Sequence, residues 1–112
     1  MKHFLVLFLA PISEREDMLK NMSRDEMLGI VASWRKWKEE NEGSLVDGGN
    51  PVGKTKVSSF EGVFDIKNEL DNYAIVRATS HEEAMHLFGT DHPHFSSSGS
   101  RVEVMEIVTP PS

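Results

Sequence analysis

Residues 4–9 read Phe-Leu-Val-Leu-Phe-Leu, followed by Ala10 and Pro11. The run is too short for a membrane span, and Pro11 stops it, so it reads as a β-strand. Side chains alternate along a strand, which puts Phe4, Val6 and Phe8 on one face and Leu5, Leu7 and Leu9, with His3, on the other. A strand that is apolar on both faces belongs to a sheet covered on both sides. One layer of helices covers only one side, so the other needs a different cover. Lys2 and His3 ahead of this run mimic the start of a signal peptide, but no small-x-small cleavage site follows, and a first strand is the better reading.

Working outward, two more strands are legible. Tyr73–Thr79 (Tyr-Ala-Ile-Val-Arg-Ala-Thr) carries Ala74, Val76 and Ala78 on one face, small enough for a closely packed helix. Arg101–Val108 sets Met105 and Ile107 against Val102, Val104 and Val108, and Pro110-Pro111 ends it. Ser23-Arg-Asp-Glu26 is a capping box that opens a helix from about Arg24 to Glu40, with Met27, Ile30, Val31, Trp34 and Trp37 at helical spacing. Ser80-His-Glu-Glu83 is a second box, followed by Ala84, Leu87 and Phe88 and ended near Gly89. Ser13 with Glu16 is read as capping a short helical turn. Ser44–Asp47 is a short strand, Lys54–Phe64 holds two β segments around Glu61-Gly62, and Asp65–Asp71 and Thr90–Ser100 are connections.

The order is β-α-β-(β hairpin)-β-α-β. It predicts a ferredoxin-like, split βαβ α+β sandwich occupying residues 1–112 as one domain. Crossovers of one hand put both helices on the same side of the sheet. The bare, apolar side then predicts a homodimer whose sheets pack face to face about a two-fold axis.

A length of 112 residues suits a single domain. A net charge of −6 argues against nucleic acid as a partner, because phosphates need a basic patch and the densest cations, Arg35, Lys36 and Lys38, sit beside Glu39 and Glu40. No apolar stretch approaches the ~20 residues of a membrane span. The absence of cysteine removes disulfide and thiolate chemistry and fits a reducing, cytoplasmic setting.

Few residues are candidates for chemistry. Asp47 ends an apolar strand and precedes Gly48-Gly49 and Pro51; a carboxylate there, with pliable backbone beside it, suits a proton-transfer role in a pocket, or simply a turn in which it binds backbone N–H groups. His94, with His92 beside it, lies in a loop stiffened by Pro93. It suits a proton shuttle, the second half of an acid–base pair with Asp47, or a packed loop histidine. The two rings together with Asp91 or Asp47 fall short of a metal-ligand set, and neither a metal nor another cofactor is expected. Arg77 is a cation in mid-strand: it holds an anionic ligand group, or it pairs with Glu103 or Glu106 across the dimer. Trp34 stacks on a ligand or packs in the core. Gly48-Gly49-Asn50-Pro51-Val52-Gly53-Lys54 lacks phosphate-loop spacing and the helix that must follow it.

Trp34 and Trp37, Leu45-Val-Asp-Gly-Gly49, Pro51, Gly53-Lys54, Tyr73-Ala-Ile-Val76, Ser80-x-Glu-Glu-Ala84, His92-Pro-His94 and Arg101-Val-Glu-Val-Met-Glu-Ile107 occur in an order that resembles the YCII-related proteins, specifically the DGPF-domain branch. The resemblance covers nearly the whole chain. It implies the dimeric α+β barrel fold, whose wider superfamily includes small monooxygenases, isomerases and dechlorinases; some relatives are encoded with, or fused to, sigma factors. The founding branch's proposed His–Asp pair places its histidine near the start of the first long helix. Residues 13–40 contain no histidine here, so that pair does not carry over, and any such pair must use other histidines. Two readings follow: a small-molecule enzyme working through His94 and Asp47 in a cleft at the sheet and dimer interface, or a non-catalytic metabolite-binding or regulatory dimer associated with transcription.

Overall fold

Strand β1 (Lys2–Leu9) lies inside the main sheet, and every other element is arranged around it. The computed structural model describes residues 1–111; Ser112, the last residue of the expected domain, lies outside them. After β1 come helices α1 (Ile12–Asn21) and α2 (Arg24–Glu40), strand β2 (Leu45–Asp47), strands β3 (Thr55–Ser59) and β4 (Gly62–Ile66), strand β5 (Leu70–Ala78), helix α3 (His81–Met85) and strand β6 (Arg101–Glu106). The main sheet has the order β2-β5-β1-β6, with each neighbouring pair antiparallel. This is the ferredoxin-like α+β arrangement that the element order predicts.

The register of the strands decides which side chains meet. Phe4 stands opposite Val76, Val6 opposite Ala74 and Val104, and Phe8 opposite Asn72 and Val102. That face is the core: Phe4, Val6, Phe8, Ala74 and Val76 are fully buried, and Trp37 of α2, Ala84 of α3 and Phe88 close over them. The opposite face carries Leu5, Leu7, Tyr73 and Ile75, all only half-buried. No layer covers it in the single chain, which is only 21 Å across its thinnest dimension.

Both serines cap their helices, while the Glu83 carboxylate accepts from the Thr79 hydroxyl rather than from the Ser80 N–H. Ser23 Oγ accepts the Glu26 N–H at 3.1 Å, and Ser80 Oγ accepts the Glu83 N–H at 3.0 Å. Each satisfies a backbone donor that has no partner within its helix. Two expectations are revised. The turn at Ser13 is a ten-residue helix that starts one residue earlier, after Pro11, with no side-chain cap. It is tied down by Arg15, which donates to the carbonyls of Leu70 and Asn68, both at 2.9 Å. Strand β5 begins at Leu70 rather than Tyr73, because a bulge after Phe8 lets Leu9 pair with Leu70. Asp71 and Asn72 are therefore strand residues rather than connection. The expected hairpin around Glu61-Gly62 forms: β3 and β4 pair with each other, as a two-stranded sheet separate from the main one.

Candidate active site

Two histidines separated by one proline occupy very different places. His92 is only 3% exposed and belongs to the core. Its ring stacks on Phe8 with centroids 5.2 Å apart and meets Trp37 and Trp34 edge-on at 4.6 and 4.9 Å. Its Nδ1 accepts the backbone N–H of His94 at 3.0 Å. The ring proton of neutral His92 must then sit on Nε2, which is buried and has no hydrogen-bond partner among the described residues. Burial is the main reason that the His92 pKa falls from 6.5 to about 4; neighbouring His94 lowers it further and Asp91 opposes the shift. His92 is thus a neutral core residue that fixes the backbone from which His94 projects.

The His94 ring is held from the other side of the fold. Its Nε2 lies 2.8 Å from the carbonyl oxygen of Leu9, at the end of β1. A carbonyl only accepts, so Nε2 carries the proton and the lone pair of neutral His94 is on Nδ1. The carboxylate nearest that atom is Asp71, with Oδ2 at 3.9 Å. Asp71 is half-exposed while His94 is buried. The separation is too long for a hydrogen bond and short enough for Asp71 to stabilise a proton arriving on Nδ1.

This pair lies in a cleft of about 440 Å³ between α1, α2 and the end of the sheet where β1 leaves and β5 begins. One wall is apolar and soft: Met18 of α1 and Met22 just after it, then Met27, Ile30, Val31 and Trp34 of α2. Asp71, Asn72, His94 and Ser97 form the polar side, and Arg35 and Lys38 add positive charge along α2. An apolar wall with a few convergent polar groups is the usual makeup of a small-molecule site.

Of the residues singled out in the sequence, His94, Trp34 and Pro51 border this cleft. His92 does not; it borders a second, polar hollow of about 490 Å³ beside the C-terminal end of α2. Asp47 is exposed and accepts the Gly49 N–H on Oδ1 at 2.8 Å, which is the turn geometry. The ion pair recorded for His94 is with Asp71, so the structure does not bring Asp47 and His94 together as a pair. Gly48 packs against the Lys38 stem, and the Gly49 carbonyl accepts from Lys38 Nζ at 3.2 Å. Gly49 has φ +75°, and a Cβ on it would sit 1.5 Å from the Tyr73 carbonyl oxygen, so only glycine fits. Arg77 is exposed on the uncovered sheet face and donates to the Leu45 carbonyl at 3.3 Å. Among the described residues, no three His, Asp or Glu side chains cluster as metal ligands, and no helix is long and apolar enough to cross a membrane.

Asp71 escaped the sequence reading because it sits in a polar run taken for a connection. One signal was available: the buried alternation Val76, Ala74 continues backward to Asn72, which makes Asp71 its strand neighbour.

No family model matches the chain, and no curated protein sequence matches it. Among solved structures, it is similar to a 5-chloro-2-hydroxyhydroquinone dehydrochlorinase from Burkholderia phenoliruptrix AC1100, determined in complex with 2,5-dihydroxybenzoquinone, with a TM-score of 0.51 and 14% identity over 90% of each chain. That neighbour belongs to the dimeric α+β barrel superfamily. This chain has the same fold. At that identity the likeness speaks for the fold alone.

Proposed function

We propose that this protein is a small-molecule acid–base enzyme of the YCII-related, DGPF-domain branch, acting as a homodimer through its uncovered sheet faces. The observation that carries the reading is the oriented imidazole of His94. Its Nε2–H is spent on the Leu9 carbonyl, so Nδ1 is left as a base facing Asp71 at the floor of the apolar cleft. His94 Nδ1 takes a proton from an acidic O–H or activated C–H of a bound ligand. Asp71 balances the imidazolium charge that forms, and the methionine-rich wall with Trp34 holds the apolar body of the ligand. Asp47 has no part in proton transfer on this reading; with Gly48 and Gly49 it shapes the turn that carries Pro51 to the cleft edge. The fold neighbour's name, a dehydrochlorinase of a hydroxylated aromatic, is compatible with an acid–base enzyme on this fold. The cysteine-free composition suits a cytoplasmic enzyme.

The test is solvent-deuterium exchange, followed by proton NMR across a panel of enolisable carbonyl compounds and polyhydroxylated aromatics. The expected result is catalysed exchange for at least one class, slowed roughly 100-fold or more in His94→Gln and less in Asp71→Asn. Ligands that raise the melting temperature without any exchange, in wild type and variants alike, would replace this reading with the metabolite-binding, regulatory one. Sedimentation as a monomer at micromolar concentration would remove the dimer.

A further inference from the structure

The β3–β4 hairpin is a poor structure on its own terms. Its two strands pair only with each other, and a lone two-stranded hairpin is at best marginally stable in water. Its side chains are the wrong ones for a solvated arm. Phe60 at the turn is as exposed as in an extended chain, Val63 is 65% exposed, and Phe64 and Ile66 also face solvent. The attachments at its base are Asn68 Nδ2 donating to Thr55 Oγ1 and the ion pair of Lys67 with Glu16. An apolar projection of this kind marks a binding surface.

We propose that this hairpin is a clasp that closes over a second copy of the same chain, with Phe60 as its anchor. The inference rests on the homodimer reading above and adds to it. Two observations choose a second copy over another partner. The first is area. From strand spacing, the uncovered face of the main sheet spans roughly 400–500 Å², whereas a stable interface takes about 800 Å² from each partner. A hairpin of this length presents roughly 160 Å² per face, and in a two-fold dimer each subunit both gives one arm and receives one, which brings the sum near that requirement. The second is charge. Between Pro51 and Asn68 the chain carries three lysines against two carboxylates, a net +1 within a chain of net −6, so the remainder carries −7. The arm of one copy is thus drawn to the acidic body of the other.

The chain has no cysteine, so a single Glu61→Cys change, beside the anchor in the turn, provides a unique attachment point for a benzophenone photo-crosslinker and leaves Phe60 in place. The expected result is a covalent dimer on illumination, with cross-linked peptides joining residue 61 of one subunit to the body of the other. In sedimentation equilibrium, Phe60→Ser, and more strongly Phe60→Ser with Val63→Ser, should weaken dimerisation by at least tenfold. Both positions are exposed in the single chain, so an unchanged circular dichroism spectrum is expected. A dimer of unchanged affinity in the double variant, or no cross-link from position 61 in a chain that dimerises, overturns the clasp and leaves the sheet-face dimer standing. A wild-type chain that sediments as a monomer overturns both.

Discussion

Acidification should destabilise this protein through one buried ring. His92 is neutral in the core, with its Nδ1 occupied by the His94 N–H and its Nε2 buried without a hydrogen-bond partner. Unfolding frees it to bind a proton at the ordinary histidine pKa of 6.5, whereas the folded protein resists protonation until about pH 4. A histidine whose folded pKa is depressed contributes stability that is whole above pH 6.5 and drains away as the pH falls toward 4. With about 1.4 kcal/mol per pKa unit, the loss relative to pH 7 is about 1 kcal/mol at pH 5.5 and about 2–3 kcal/mol at pH 4.5. The assay is urea denaturation at pH 7, 5.5 and 4.5 at one protein concentration, on wild type and on His92→Phe, which keeps an aromatic ring in the slot and removes the titration. His92→Phe should be less stable at pH 7, since the His94 N–H loses its acceptor, but its stability should fall less between pH 7 and 4.5 by about 2 kcal/mol or more. Equal losses in the two proteins would refute the assignment of the pH dependence to His92.

Other outcomes follow from single contacts. Gly49→Ala should cost roughly 2–4 kcal/mol, from a left-handed backbone and a Cβ driven into the Tyr73 carbonyl, whereas Gly53→Ala, with open space around it, should be nearly neutral; urea midpoints compare them. Ser23→Ala should lower stability by about 1 kcal/mol through loss of the α2 cap, readable as a shift of the melting temperature at fixed protein concentration.

The elements legible in the sequence are those with a local cause. Both serine caps close over three residues, and their helices begin where Ser23 and Ser80 place them. The two apolar faces of β1 come from simple alternation. The candidate site is different in kind. His94 is oriented by Leu9, 85 residues away, and no spacing rule links the two. Asp71 meets His94 because a bulge after Phe8 extends β5 back to Leu70. The same three-residue motif sends His92 into the aromatic core and His94 to the cleft, which residue types alone do not distinguish.

Periodicities of two to four residues are enough to set the order of elements, the ferredoxin-like topology and the surplus of apolar surface. Which carboxylate stands by His94, that Asp47 serves a turn, and that the hairpin stands apart from the main sheet emerge only in the packed fold. Those outcomes depend on strand register and on backbone carbonyls far away in the chain, and register is set by the whole sheet rather than by any one stretch within it.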